Sequence, residues 1–136
     1  MIQRIQSVWL LLAAVAATLS FKFEFYSGIN SIHPTFYKIT ATESMFTMLL
    51  TVAVSGLAFF TIFLFKNRKL QFRLSIVGIL LEALLLFVYY TLIKNYTSGS
   101  ISIWALLHGA ILLFFFLTAR AINKDEKLIQ ESDRLR

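Results

Sequence analysis

Two ionisable side chains interrupt the most apolar stretches of this 136-residue chain: Glu82, inside VGILLEALLLFVYY, and His108, inside WALLHGAILLFFF. Ionisable groups at membrane depth are costly, and they mark either a mutual pair or a path for protons or ions. At about 1.5 Å per helical residue, Glu82 stands roughly 12 to 13 Å above Arg73 and His108 roughly 18 Å above Arg120. The offset is about one turn, so adjacent antiparallel helices bring the two within hydrogen-bond reach, with Ser55 at a similar level. The functional expectation is a proton-responsive or ion-coordinating pair. The structural alternative is a Glu-to-His or Glu-to-Ser hydrogen bond that holds helices together.

Other chemistry is poorly provided for. The chain has no Cys, which removes thiol catalysis, disulfides and Cys-bearing metal sites. Two His, one of them beside Pro34, make no zinc constellation, and haem ligation would need a second buried His. No Gly-rich phosphate loop and no Gly-x-Ser-x-Gly elbow is present. No catalytic residue, metal or cofactor is expected, and the chain is not expected to be an enzyme.

The elements that must position Glu82 and His108 follow from composition. With 58% hydrophobic and 15% charged residues and a mean hydropathy of +0.74, the chain reads as a polytopic membrane protein. A crossing helix needs about 20 apolar residues. Four stretches qualify, over 5–21, 44–65, 74–93 and 101–119. The fold class is therefore all-α: one four-transmembrane-helix bundle, with a short β-hairpin or an irregular interfacial loop over 21–40. The first stretch is read as a retained helix, because its apolar run is long for a signal peptide and AAVAAT suits helix packing. Small and polar residues mark the inward faces: Ala13, Ala17 and Ser20; Thr47, Thr51, Ser55 and Gly56; Ser75, Gly78, Glu82 and Tyr89; Ala105, His108 and Gly109.

Basic residues are retained on the cytoplasmic side. With both termini inside, ten of the 13 Lys and Arg residues are cytoplasmic, four of them in the turn KNRKLQFR, and only Lys22, Lys38 and Lys94 lie outside. The net charge of +6 is then a topological signal and an attraction to anionic lipid, and no nucleic-acid partner is expected. In the outer loop the alternation Phe21, Lys22, Phe23, Glu24, Phe25 has strand periodicity, and Ser27–Asn30 reads as a turn. Its aromatics, with Tyr26, Phe36 and Tyr37, suit a belt facing the bilayer surface. Thr40–Glu43 fits a capping box that starts the second helix. NYTSGSIS reads as a polar turn, with Ser100 or Ser102 as a cap.

Beyond Ala119 the last helix is expected to continue as a cytoplasmic amphipathic helix over 120–136. Ala121, Leu128 and Leu135 recur every seven residues, with Ile122 and Ile129 beside them. Leu128, Ile129, Asp133, Arg134 and Leu135 are the candidate partner-docking residues.

The opening MIQRIQSVWLLLAA and the closing RAINKDEKLIQESDRLR resemble the two ends of a family of uncharacterised Bacteroidota inner-membrane proteins, a domain of unknown function. The resemblance covers the whole chain. It implies four helices, the bacterial inner membrane and an internal tail that matters, and it supplies no activity or cofactor. The leading expectation is a structural or accessory subunit, embedded in the lipid bilayer, that presents its C-terminal helix to a membrane or cytoplasmic partner or to a second copy. The alternative is a small proton- or ion-coupled transporter or channel-like oligomer using Glu82 and His108.

Overall fold

The computed structural model describes residues 3–32 and 35–136. His33, Pro34 and the side chain of Arg4, all part of the sequence reading, lie outside the description. Four helices and three short strands run in the order α1 (Gln3–Leu19), β1 (Tyr26–Asn30), β2 (Phe36–Ile39), α2 (Met45–Phe63), α3 (Arg68–Ile93), β3 (Tyr96–Ile101) and α4 (Leu106–Arg134), with a 3-10 turn, Ile103–Ala105, leading into α4. Among the described residues three helical segments, Met45–Phe63, Arg68–Ile93 and Ile103–Arg134, are long and apolar enough to cross a membrane; α1 offers a shorter apolar helix, Ile5–Leu19.

The helices form a closed ring in which α1 packs on α2 and α4, and α3 on α2 and α4. Their buried residues recur at alternating spacings of three and four. In α4 the buried positions include His108, Ile111, Phe115, Thr118, Ile122 and Asp125; in α3 they are Gln71, Ser75, Gly78, Glu82, Leu85 and Tyr89. α2 contributes Thr47, Thr51, Val54, Ala58 and Thr61, and α1 Gln6, Leu10, Ala13, Ala17 and Ser20. That period keeps one seam of each helix against its neighbours, as in bundles with knobs-into-holes packing. Buried hydroxyls return their protons to their own helices: Thr51 Oγ1 donates to Thr47 O at 2.8 Å, Ser75 Oγ to Gln71 O at 2.9 Å and Thr118 Oγ1 to Phe114 O at 2.8 Å. These three seam hydroxyls are thereby satisfied without water.

Glycine has a packing role at one position in the ring. A Cβ on Gly78 would lie 2.6 Å from the Phe115 ring, so the missing side chain is the notch that seats this fully buried phenyl. Gly56 and Gly109, expected on inward faces, instead have open space where a Cβ would stand, because the three-four spacing carries them off the seam.

Several expected boundaries move. The capping box lies four residues beyond the expected Thr40–Glu43, over Ser44–Thr47. Ser44 is the N-cap of α2, its Oγ accepts from Phe46 N, and its own N–H donates to Thr47 Oγ1 at 3.3 Å. Thr40 to Glu43 are used in a preceding turn closed by Glu43 N to Thr40 O. The expected basic turn is mostly helix: α3 begins at Arg68, and Gln71 Nε2 donates back to Thr61 O at 3.3 Å, tying the corner between α2 and α3.

The helical bundle is present, and so is the β-hairpin given as one alternative over 21–40, β1 pairing antiparallel with β2; the all-α expectation is corrected only in that β3 extends this hairpin to a three-stranded antiparallel sheet, ordered β2-β1-β3. The alternating Phe21–Phe25 is not a strand, since the chain is still unwinding from α1, with Lys22 N bonded to Leu19 O at 3.0 Å. The segment SGIN, expected as a turn, makes up the last four residues of β1, and the expected polar turn NYTSGSIS contains β3. The reason is a close approach of two backbones. Gly28 pairs with Gly99, and a Cβ on Gly99 would stand 2.4 Å from Ser27 O and 2.7 Å from Gly28 Cα. Turn-forming residues here serve strand contact. The sheet packs Tyr26 and Ile39 onto Leu50, Leu85 and Tyr89, closing the end of the bundle beyond Glu82.

Candidate functional site

The expected pair forms. His108 Nδ1 and Glu82 Oε1 lie 2.6 Å apart, with 3% and 0% of the side chains exposed. α3 and α4 run antiparallel, and the seam that seats Phe115 on Gly78 one turn below sets this register. Around the pair the aromatic residues form a box. Phe25, from the segment before β1, stacks on Tyr89 with centroids 4.4 Å apart and planes at 7°. The His108 ring stands edge-on to both, 5.3 Å from Phe25 and 5.2 Å from Tyr89. Such offset and perpendicular contacts add about 0.5–1.5 kcal/mol each beyond burial. Glu82 Oε2 is buried and has no hydrogen-bond partner among the described residues.

Ser55, the third residue expected here, is not part of the site. Its hydroxyl bonds Val52 O at 3.1 Å within α2, and the residue is only partly buried. Thr51, one turn earlier on the seam, is the α2 residue facing Tyr89. The expected bilayer belt also divides. Phe25 turns inward, Phe23 stacks on Trp104 at 3.9 Å and Tyr26 is buried, while Phe36 and Tyr37 are exposed.

Toward the other end of the ring lies a second buried carboxylate that the sequence reading missed. Asp125 is 5% exposed and its Oδ2 accepts from Gln6 Nε2 at 2.5 Å, joining α4 to α1. Its Oδ1 is buried and has no partner among the described residues. The signal was present: Asp125 continues the spacing of Phe115, Thr118 and Ile122, and Gln6 precedes Leu10 and Ala13 on the matching seam.

The docking candidates sit on the last turns of α4, which is continuous to Arg134. Leu128, Ile129 and Leu135 are 44%, 45% and 90% exposed. Asp133 and Arg134 are exposed, and among the described residues neither makes an ion pair. Arg134 adds a favourable charge at the helix C-terminus. The expected stripe is rotated at its start, since Ile122 is buried in the bundle while Ala121 is only partly so. Between the tail and the start of α3 opens a cavity of about 580 Å³ whose walls include Lys66, Arg68, Lys69 and Arg73 on one side and Glu126 and Ile129 on the other. Among the described residues those four cations have no salt bridge. No group of three or more His, Cys, Asp or Glu that could hold a metal occurs among the described residues.

A family model described as a domain of unknown function, DUF4293, matches residues 2–135. The chain belongs to this family. The DUF4293 match spans both the boxed pair and the tail, in keeping with the resemblance carried by the two ends of the sequence. No curated protein matches the chain significantly, and neither does any solved structure.

Proposed function

We propose that this DUF4293 protein is a non-enzymatic accessory protein of the bacterial inner membrane, in which all four helices cross and both termini face the cytoplasm. Its C-terminal helix and the neighbouring basic cavity dock a protein partner. The observation that carries the reading is the tail. α4 has 29 residues, about 43 Å at 1.5 Å per residue against a hydrocarbon core of about 30 Å. Its last turns therefore extend beyond the apolar layer, with Leu128, Ile129 and Leu135 exposed. The partner these residues fit presents carboxylates to Lys66, Arg68, Lys69 and Arg73 and aliphatic side chains to Leu128 and Ile129. Charge complementarity supplies orientation and on-rate, and tethering to one membrane raises the effective concentration of a thin apolar contact.

In this reading the Glu82–His108 pair is a clasp that fixes α3 against α4 and holds the sheet over the end of the bundle. The seal of Phe25 and Tyr89 supports a clasp over a water-filled path. The second reading, proton- or ion-coupled transport, draws on the unpartnered Glu82 Oε2 and requires the seal to open. Proton flux into proteoliposomes that is abolished in Glu82→Gln would establish it.

The docking reading is tested with a photocrosslinker at the exposed Ser132 in the native host. The expected result is one crosslinked heterologous protein, lost when Leu128, Ile129 and Leu135 are all changed to Ser. A species of twice the chain mass would replace the partner by a second copy, and crosslinking to lipid alone would end the docking reading.

A further inference from the structure

Along the α1–α4 seam, at the level of Asp125, a groove of about 410 Å³ opens to the outside. We propose that it binds the headgroup of an aminophospholipid, with the primary ammonium on Asp125, the phosphate on Arg120 and Lys124, and an acyl chain against Trp9 and Leu117.

Three observations carry this. First, Asp125 is a buried carboxylate among the residues lining the groove, and among the described residues its Oδ1 has no donor. Gln6 occupies only Oδ2. A buried acceptor of this kind costs free energy until a donor reaches it, and a charged donor returns the most. Second, two cations stand on the rim one turn apart, Arg120 and Lys124, both exposed, and among the described residues neither is ion-paired. At one and five positions from Asp125 on the same helix, Lys124 and Arg120 point away from it, so the groove presents separate positive and negative sites. A phosphodiester joined to a primary amine through two carbons carries the matching pair of charges. Third, the wall is apolar where the helices enter the apolar layer. Trp9 stacks on Phe114 at 5.8 Å, and Ile5 and Leu117 complete the surface. An indole at this level is the side chain that suits a boundary between headgroups and acyl chains.

The chemistry separates the candidate lipids. Phosphatidylcholine has the phosphate but no N–H to donate to Asp125, and phosphatidylglycerol has no ammonium at all. The inference goes beyond the docking proposal and is independent of it, because the groove lies on the α1 side of α4, away from the cavity beside Arg68.

The test uses the full chain. Of the two Trp residues in the sequence, Trp104 is replaced in Trp104→Phe, leaving Trp9 as the sole fluorescent reporter in the groove. The protein is placed in phosphatidylcholine vesicles containing rising mole fractions of lipid with brominated chains, as phosphatidylethanolamine, phosphatidylcholine or phosphatidylglycerol. The expected result is saturable quenching of Trp9 by the ethanolamine lipid at about a tenfold lower mole fraction than by the choline lipid, the size expected of one hydrogen bond to a charged group. That preference disappears in Asp125→Asn. Arg120→Gln with Lys124→Gln, both at exposed positions that keep the fold, weakens the ethanolamine and choline lipids together and leaves their ratio intact. Equal quenching by all three lipids, or a preference for phosphatidylglycerol, would overturn the proposal, as would a preference that survives Asp125→Asn or is untouched by the rim variant. Release of quenching by soluble glycerophosphoethanolamine at concentrations matching the lipid would overturn the acyl-chain part.

Discussion

Glu82 and Asp125 are the same kind of group in two different places. Each is a buried carboxylate with one oxygen hydrogen-bonded across a helix seam and the other oxygen unpartnered. Glu82 meets an imidazole that can share its proton, inside an aromatic box under a sheet. Asp125 meets a neutral amide and borders an open groove. The contrast teaches that the surroundings, more than the carboxylate, decide whether such a group holds a fold together or waits for a ligand.

The contrast can be broken from the Glu82 side first. His108→Ala strands a carboxylate in a sealed interior, and removing one partner of a buried pair costs about 3–5 kcal/mol. Thermal unfolding in nanodiscs should show this as the largest loss among the variants considered. Gly78→Ala comes next, because Phe115 must leave its notch; overpacking of this kind costs about 1–3 kcal/mol. Gly109→Ala, at an open position, should stay within about 0.5 kcal/mol of the parent. Phe25→Ala opens the box from the sheet side at about 1–2 kcal/mol, below the figure for a fully buried phenyl. It should also raise carbodiimide labelling of Glu82, read by peptide mass spectrometry; unchanged labelling would show that Phe25 is not the seal. Among the variants at the two carboxylates Gln6→Ala is the mildest, at about 1 kcal/mol, since water entering the groove can replace the lost donor. A Gln6 loss as large as the His108 loss would erase the distinction between the two sites.

How legible these sites were in the sequence follows the same division. Glu82 and His108 stood out because each is a lone polar residue in a long apolar run, and helical depth arithmetic brings them within about one turn of each other. The tail helix was legible from unbroken helix formers and seven-residue spacing. Asp125 was hidden because it sits among charges, where a buried acid looks like one more solvated residue; only the three-four spacing through Ile122 distinguishes it. Ser55 was misplaced by one turn for the same reason, since spacing by fours drifts off the seam that alternating threes and fours maintain. The sheet was least legible. Gly28 and Gly99 carry a turn signature, and their role as facing strand residues depends on a contact between segments about 70 positions apart, which no local pattern encodes.

The central claim is that the Glu82–His108 pair is a clasp and that the tail carries the interaction. Its most direct test is the Ser132 crosslink repeated in the double variant Glu82→Leu with His108→Leu, which replaces a buried ion-pairing couple by apolar side chains and is expected to be neutral for stability or better. The account predicts the same crosslinked partner, at parent intensity, in this folded variant. Loss of the crosslink there, with thermal stability intact, would contradict it and place the function at the buried pair.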